Sequence, residues 1–222
     1  MPERYLEVPG LPEFAEILAT RGVDRGLIGP REVPRIWTRH IVNCAVVALE
    51  ESTRIPVGVR IADVGSGAGL PGIVWALVRP DVRLTLVEPL LRRAAFLTEV
   101  VAELDLGQRV TVERARAEDV RTTFPVVTAR AVARLPQLLA WTIPLADVGG
   151  WVIALKGASA PAEVEESEAA LRRLGGGPPE IRRYGDGALD PPTVAVLVER
   201  IRAVPPPSAS GRQVTLKRSG RV

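Results

Sequence analysis

The sequence of 222 residues has few of the residue types from which metal centres, disulfide frameworks and catalytic bases are built. It contains one Cys and one His, which excludes a disulfide framework and a Cys/His zinc site. A hydrolase of the Ser-His-Asp type would have to use His40. No apolar run approaches the roughly 18 residues of a membrane span, and Met1–Gly10 has no signal-peptide pattern. We therefore expect a cytoplasmic protein that holds no metal and contacts no membrane.

A large charge of one sign is also absent. The chain has 29 basic and 26 acidic residues, and four of the basic residues lie in residues 203–222, which contain no acid. Residues 1–202 therefore carry 25 basic and 26 acidic groups and are close to neutral. Hydrophobic residues make up 46% of the chain, which excludes global disorder. We expect the proline run at 205–207 to end the fold and residues 205–222 to form a basic, flexible tail.

Short apolar runs alternate with stretches of helical spacing from residue 59 onward, which predicts an α/β fold with a mostly parallel sheet. The predicted strands are Val59–Val64, Arg83–Val87, Val110–Val112, Val126–Ala129 and Gly150–Leu155. The predicted helices are Pro71–Val78, Leu90–Leu104, Leu135–Leu145 and Ala162–Leu174. Two further strands, Glu180–Tyr184 and Thr193–Ile201, have no helix between them and predict a C-terminal antiparallel hairpin, giving seven strands.

Two further helices are predicted before the sheet, at Pro12–Thr20 and Val33–Glu50. We therefore divide the chain into a helical extension (residues 1–52), an α/β domain (53–204) and the tail (205–222).

A glycine-rich turn follows the first strand of the sheet. Gly65, Gly67 and Gly69 come directly after the apolar run, and glycines at this place let a ligand lie against bare main chain. The next strand ends in Glu88, an acid that can accept hydrogen bonds from both hydroxyls of a ribose. After the third strand, Glu118 and the neighbouring backbone at Ala117 are candidates to hold an adenine amino group.

Two ligand classes use such a turn. Residues 67–72 match the dinucleotide pattern, with Glu88 about 20 residues further on. The strand, however, ends near Val64, so the tight turn begins two residues before that pattern does. Asp63 has no role against a pyrophosphate but suits S-adenosylmethionine (SAM), which carries an ammonium group and a cationic sulfonium. We therefore favour SAM, with a nicotinamide dinucleotide as the alternative.

The motifs together resemble the RsmG (GidB) family of bacterial methyltransferases, which methylate N7 of a guanine in small-subunit ribosomal RNA with SAM. The matching segments, in the order of that family, are Trp37–Ile41, Asp63–Ile73, Arg79-Pro80, Arg92–Leu97, Arg116–Glu118, Thr128–Ala131 and Ala154–Gly157. The chain departs from the family at Asn43-Cys44 and Ala129 and has Glu88 where Asp is frequent. The resemblance implies a Rossmann-like class I SAM-dependent methyltransferase fold.

The resemblance also implies the roles of individual residues. The cofactor-binding set is expected to be Asp63, Gly65, Gly67, Gly69, Leu70, Glu88, Ala117, Glu118 and Arg130. Arg130 is also expected to position the substrate. Lys156, one of only two lysines, ends the fifth strand, and from this place we expect it to position the substrate through RNA contact, with a structural ion pair as the alternative. Guanine N7 carries no proton, so no general base is expected.

Arg31, Arg35 and Arg39 are spaced four residues apart, which would place them along one helical face. With His40 they are candidates for RNA contact, against the alternatives of a solvated face and, for His40, simple packing. The expected partner is 16S rRNA or the small ribosomal subunit, bound by a monomer.

Three other functions remain open on the sequence. A SAM-dependent methyltransferase acting on a protein or small molecule would share the glycine turn. A dehydrogenase would use Gly67–Gly72, and a non-catalytic RNA-binding module would lack SAM affinity.

Overall fold

A computed structural model describes residues 3–204, and the predicted tail lies outside this range. A single seven-stranded sheet in the order β3-β2-β1-β4-β5-β7-β6 organises the fold. Its strands are β1 (Arg60–Val64), β2 (Arg83–Val87), β3 (Val110–Glu113), β4 (Phe124–Arg130), β5 (Ala146–Lys156), β6 (Glu180–Tyr184) and β7 (Thr193–Glu199). β1 to β5 are parallel, whereas β7 runs antiparallel to both β5 and β6. The predicted fold class is confirmed.

Helices cover both faces of the sheet, and each face has its own hydrophobic core. The helices are α1 (Leu11–Ile17), α2 (Asn43–Glu50), α3 (Gly72–Val78), α4 (Leu91–Glu103), α5 (Leu135–Thr142) and α6 (Ala160–Leu174). Consecutive strand residues point to opposite faces, so Ile61 packs with α1 to α4 while Ala62 packs with α5 and α6. The order of the strands reverses between β1 and β4, and ligands of open α/β sheets bind outside the strand ends at such a point.

The N-terminal segment differs from the expected pair of regular α-helices. The predicted helix Val33–Glu50 is wrong in its first half, because Pro30–Arg35 forms a 3₁₀-helix and Ile36–Val42 winds as a wider π-helix before α2 begins. Pro34 lies inside the 3₁₀ stretch, where it lacks the N–H that an α-helix interior would use. The first helix likewise continues as a π-helix over Leu18–Gly22. Such wide turns are frequent at functional sites.

The N-terminal helices share one core with the sheet. The indole N–H of Trp75 in α3 donates to the carbonyl of Cys44 in α2 at 3.0 Å, and the Thr193 hydroxyl of β7 donates to the carbonyl of Asn43, also at 3.0 Å. The predicted extension therefore packs directly against α3 and β7. None of the helices within residues 3–204 has the length and apolar character needed to cross a bilayer.

Candidate functional site: a cavity at the carboxyl ends of the strands

The glycine turn after β1 has a backbone that requires glycine. Gly65, Gly67 and Gly69 have φ angles of +71°, +56° and +91°, a region that L side chains rarely adopt. A Cβ atom built on Gly65 would lie 2.8 Å from a methyl group of Val132, so the turn also packs closely against the chain that follows β4. The Gly65 amide donates to the carbonyl of Val87 at 2.8 Å, which fixes the turn beside the end of β2.

A cavity of about 920 Å³ opens beside this turn at the carboxyl edge of the sheet. It is bounded by the ends of β1, β2, β3 and β4 and by the N-terminal segment. Eight predicted site residues line it: Gly65, Gly67, Leu70, Glu88, Ala117, Glu118, Arg130 and His40. The other six do not line its wall: Asp63, Gly69, Lys156, Arg31, Arg35 and Arg39.

Glu88 forms the end of the cavity next to β2. Its carboxylate is almost completely buried and accepts two backbone N–H bonds, from Gly67 to Oε2 and from Leu90 to Oε1, each at 3.0 Å. Each carboxylate oxygen offers a further lone pair, so both can also accept from hydroxyl groups in the cavity. This donor set fits the ribose of a nucleoside cofactor.

Asp63 lies directly behind the turn and is fully buried. Its Oδ2 accepts from the amide of Gly72 at 3.0 Å, while Oδ1 has no hydrogen-bond partner among residues 3–204. Burial raises the pKa of this carboxyl to about 7, although hydrogen bonding to Ser66 and Gly72 opposes the shift, and the charge of Glu88 adds to it. A buried oxygen without a donor fits a role toward a cationic group of a ligand, so the predicted role of Asp63 is chemically consistent with its surroundings.

The wall beyond β3 contains the short 3₁₀ turn Ala117–Asp119. Ala117 is buried and Glu118 is exposed, and both line the cavity, as does Trp141 from α5. The sequence analysis did not include Trp141 in the site. Its half-buried indole stands in the same wall as the residues predicted to hold adenine.

Arg130 ends β4 at the cavity, and its guanidinium is directed at the N-terminal segment. It donates to the Arg39 carbonyl at 2.9 Å, to Nδ1 of His40 at 2.9 Å and to Sγ of Cys44 at 3.0 Å. A guanidinium only donates, so Nδ1 is the acceptor and the ring proton is on Nε2, 3.2 Å from a carboxylate oxygen of Glu32. Burial, together with the charge of Arg130, lowers the pKa of His40. His40 is therefore a neutral part of the cavity wall.

Lys156 lies behind the cavity. Its ammonium is 2.6 Å from a carboxylate oxygen of Glu163 and donates to the carbonyl of Ala133 at 3.1 Å. Both side chains of the pair are less than one tenth exposed. This contact is the structural ion pair that the sequence analysis gave as the alternative to direct substrate contact.

Arg31, Arg35 and Arg39 are exposed on the N-terminal segment. They do not share one α-helical face, because the first two lie in the 3₁₀-helix and the third lies in the π-helix. Arg39 is 3.4 Å from Glu32, whereas Arg31 and Arg35 have no carboxylate partner within residues 3–204. Their contact with RNA stays a prediction.

Other cavity residues were not predicted. Leu27 and Ile28 reach it from the N-terminal segment, Arg93 lies in the first turn of α4, and Arg114 directly follows β3. Leu27 and Ile28 follow a glycine-rich break in helical spacing, and no local signal marks them as ligand contacts. In the part of the chain that the structure describes, no group of three or more His, Cys, Asp or Glu residues is arranged to hold a metal ion.

Comparisons with known proteins agree with this geometry. A family model described as rRNA small subunit methyltransferase G (GidB) matches residues 8–185. A protein of Salinispora tropica named ribosomal RNA small subunit methyltransferase G is 55% identical over 201 residues, which cover 87% of this chain and 81% of that protein. A protein of the same name from Streptomyces avermitilis is 52% identical over 206 residues, covering 89% and 84%.

A solved structure shows the same fold at low sequence identity. The SAM-dependent methyltransferase SibL in its apo form superposes with a TM-score of 0.58 and 19% identity, over 90% of this chain and 62% of that one.

Proposed function

The chain belongs to the rRNA small subunit methyltransferase G family, and from this premise we propose that it transfers the methyl group of SAM to N7 of a guanine in 16S rRNA. The observation that carries the proposal is the family match over residues 8–185, which includes every cavity-lining residue from the N-terminal segment to α5. The cavity contains the buried acid and the glycine turn that a nucleoside cofactor requires.

The cofactor would lie along the ends of β1, β2 and β3. Glu88 would accept hydrogen bonds from the ribose, and the backbone of Ala117 with Glu118 would face the adenine. The glycine turn with Leu70 would lie against the methionine part, whose ammonium matches the unpartnered oxygen of Asp63. When bound, SAM supplies an electrophilic methyl group on a cationic sulfur.

The residues of this chain have to orient the guanine and exclude water. N7 is a neutral lone pair without a proton, so no side chain has to act as a base. The state of His40 is consistent with this requirement, since the ring is neutral and both its nitrogens already have partners. Orientation of reacting groups supplies as much as about 7–11 kcal/mol in well-aligned cases. Arg130 and His40 would hold the wall against which the guanine is aligned.

The substrate would reach the cavity from the side of the N-terminal segment. Guanine N7 lies in the deep, narrow major groove of an RNA helix, so a guanine in a loop or out of its stack is the accessible target. Arg31, Arg35 and Arg39 are exposed and can contact the flanking phosphates. We propose that the chain acts as a monomer, and a ribosomal substrate supports a cytoplasmic location.

A methyl-transfer assay tests the proposal. Tritiated SAM is incubated with small ribosomal subunits that lack the family's modification and, in parallel, with fully modified subunits as the control. We expect label in the 16S rRNA of the unmodified subunits only. Chemical cleavage of the RNA at N7-methylguanine should then map the modification to one guanine. Label in a ribosomal protein instead of the RNA would refute the proposal.

A further inference from the structure

The Lys156–Glu163 pair, at the end of β5 and the start of α6, is a buried charged cluster outside the cavity. Glu163 uses both carboxylate oxygens: Oε1 accepts from the Ser159 hydroxyl at 2.7 Å, and Oε2 accepts from the Leu135 amide at 2.7 Å. The same Oε2 is 2.6 Å from the Lys156 ammonium. Burial works to raise the pKa of Glu163, but the donors from Lys156, Ser159 and Leu135 hold it below its usual value. The carboxylate is therefore charged.

The cluster binds two backbone groups at the start of α5. Lys156 binds the carbonyl of Ala133, and Glu163 binds the amide of Leu135, the first residue of α5. Residues 131–134 connect β4 to α5, and we call them the β4–α5 loop; the two contacts lie at its C-terminal end. Its first two residues line the cavity.

The β4–α5 loop has a conformation that needs support. Ala131 has a φ of +54°, in the left-handed region that costs a residue with a Cβ about 1–2 kcal/mol. Such conformations persist where the surroundings hold them, and they concentrate at functional sites. Val132 packs so closely on Gly65 that no Cβ fits between them, which fixes the spacing between this loop and the cofactor turn.

We propose that the Lys156–Glu163 pair is a positioning device that holds the β4–α5 loop as the substrate side of the cavity. The inference rests on the proposed function, because the proposed function assigns the ends of β1, β2 and β3 to the cofactor. The wall formed by Arg130, Ala131 and Val132, beside the N-terminal segment, then faces the guanine. Lys156 and Glu163 act on the reaction through the backbone of this wall and touch neither substrate nor cofactor.

A second ion pair joins the same two elements and provides a matched control. Arg134 and Glu166 connect the residue before α5 to α6, but their side chains are 70% and 49% exposed. Exposed pairs contribute little, whereas removal of one partner from a buried pair leaves an uncompensated charge. Glu163→Gln and Glu166→Gln are therefore the same chemical change in a buried and an exposed pair.

Amide hydrogen exchange in the cofactor-free protein measures the structural part of the proposal. We expect Glu163→Gln to speed the exchange of the Leu135 amide by at least about 10-fold, because its acceptor is weakened, while Glu166→Gln leaves it unchanged. The double variant Lys156→Met, Glu163→Gln leaves no unpaired buried charge. It replaces the single variant in this measurement if Glu163→Gln prevents folding. Unchanged exchange at Leu135 in a folded variant would overturn the proposal whether or not the protein methylates RNA.

Kinetics measure the functional part, at temperatures well below the melting temperature of each variant. We expect Glu163→Gln to lower kcat on the RNA substrate by at least about 10-fold with the Kd for SAM unchanged, since misplacement of about 1 Å has effects of this size. In a background with Ala131→Gly, the kcat loss should shrink by at least about threefold, because glycine adopts a positive φ without the penalty. A lower melting temperature with kcat unchanged, or equal kcat losses in both backgrounds, would show a purely structural pair and refute the inference. An inactive wild-type protein would instead refute the proposed function.

Discussion

Replacement of Asp63 by Asn should remove a specific pH dependence of stability. Burial raises the pKa of this carboxyl from 3.8 to about 7. Between these two values the folded protein keeps a proton that the unfolded chain has released, so the free energy of unfolding falls as the pH rises. Above about pH 7 the carboxyl is ionised in both states and its contribution no longer changes. A shift of about three units corresponds to about 4 kcal/mol in total, of which about 3 kcal/mol falls between pH 5 and pH 8.

Urea denaturation at pH 5, 6, 7 and 8 measures this contribution. Asn does not ionise, yet its amide oxygen can accept the Gly72 N–H that Oδ2 accepts at 3.0 Å. We expect the wild-type protein to lose about 3 kcal/mol more than Asp63→Asn over this range. The reasoning about the buried, unpartnered oxygen is refuted if the two proteins show parallel pH dependence.

The same carboxyl should report ligand binding. A cationic ligand next to Asp63 stabilises the carboxylate and lowers its pKa, so binding at pH 6.5 should release a proton. Calorimetry with SAM in two buffers of different ionisation enthalpy detects that proton. Asp63→Asn should bind SAM more weakly and release none from this site.

Two further predictions concern the cavity and its mouth. Glu88→Gln should raise the Kd for SAM by about 10-fold or more in calorimetry, because hydrogen bonds to a charged acceptor are worth about 1.5–3 kcal/mol. Glu113→Gln is the control, since Glu113 ends β3 outside the cavity. Equal affinities of the two variants for SAM would contradict the role of Glu88. The double variant Arg35→Ala, Arg39→Ala should weaken RNA binding at low salt. It should also reduce the slope of log K against log salt concentration by about 0.7 for each lost contact to single-stranded phosphate, whereas Arg173→Ala should change neither. Unchanged RNA affinity at low salt would exclude the N-terminal segment from the interface.

The sheet and the cofactor wall were predictable because their signals are local. A buried strand needs only a short apolar run between turns, so the seven strands appear in the sequence with ends that differ by a few residues from those observed. The glycine turn is also local, since positive φ angles at Gly65, Gly67 and Gly69 demand glycine directly. Glu88 could be predicted because parallel strands end at the same edge of a sheet.

The N-terminal segment was predicted less well because the period of its apolar residues does not reveal how tightly the chain winds. The 3₁₀ and π turns around Pro34 change the direction of each side chain, which separates Arg35 from Arg39 and brings His40 to the cavity. The contact of Arg130 with His40 joins residues 90 positions apart, and no local pattern specifies it. Trp141 has the same helical spacing as core residues, and only packing shows that its face meets the cavity.

The charge around the cavity can now be related to the reaction. The acids Glu88, Glu118 and Asp119 line it and Asp63 lies behind it, while Arg93, Arg114 and Arg116 also line it and Arg130 directs its donors at the N-terminal segment. Methyl transfer to N7 moves a positive charge from sulfur to the guanine ring, so the contents of the cavity are cationic before and after the step. The buried acids Glu88 and Asp63 lie next to the glycine turn and favour a cation before and after the step, so no group has to change its protonation. A nearly neutral chain with one histidine is thus sufficient for this chemistry, and the exposed arginines of the N-terminal segment, Arg31, Arg35 and Arg39, are left for the RNA backbone.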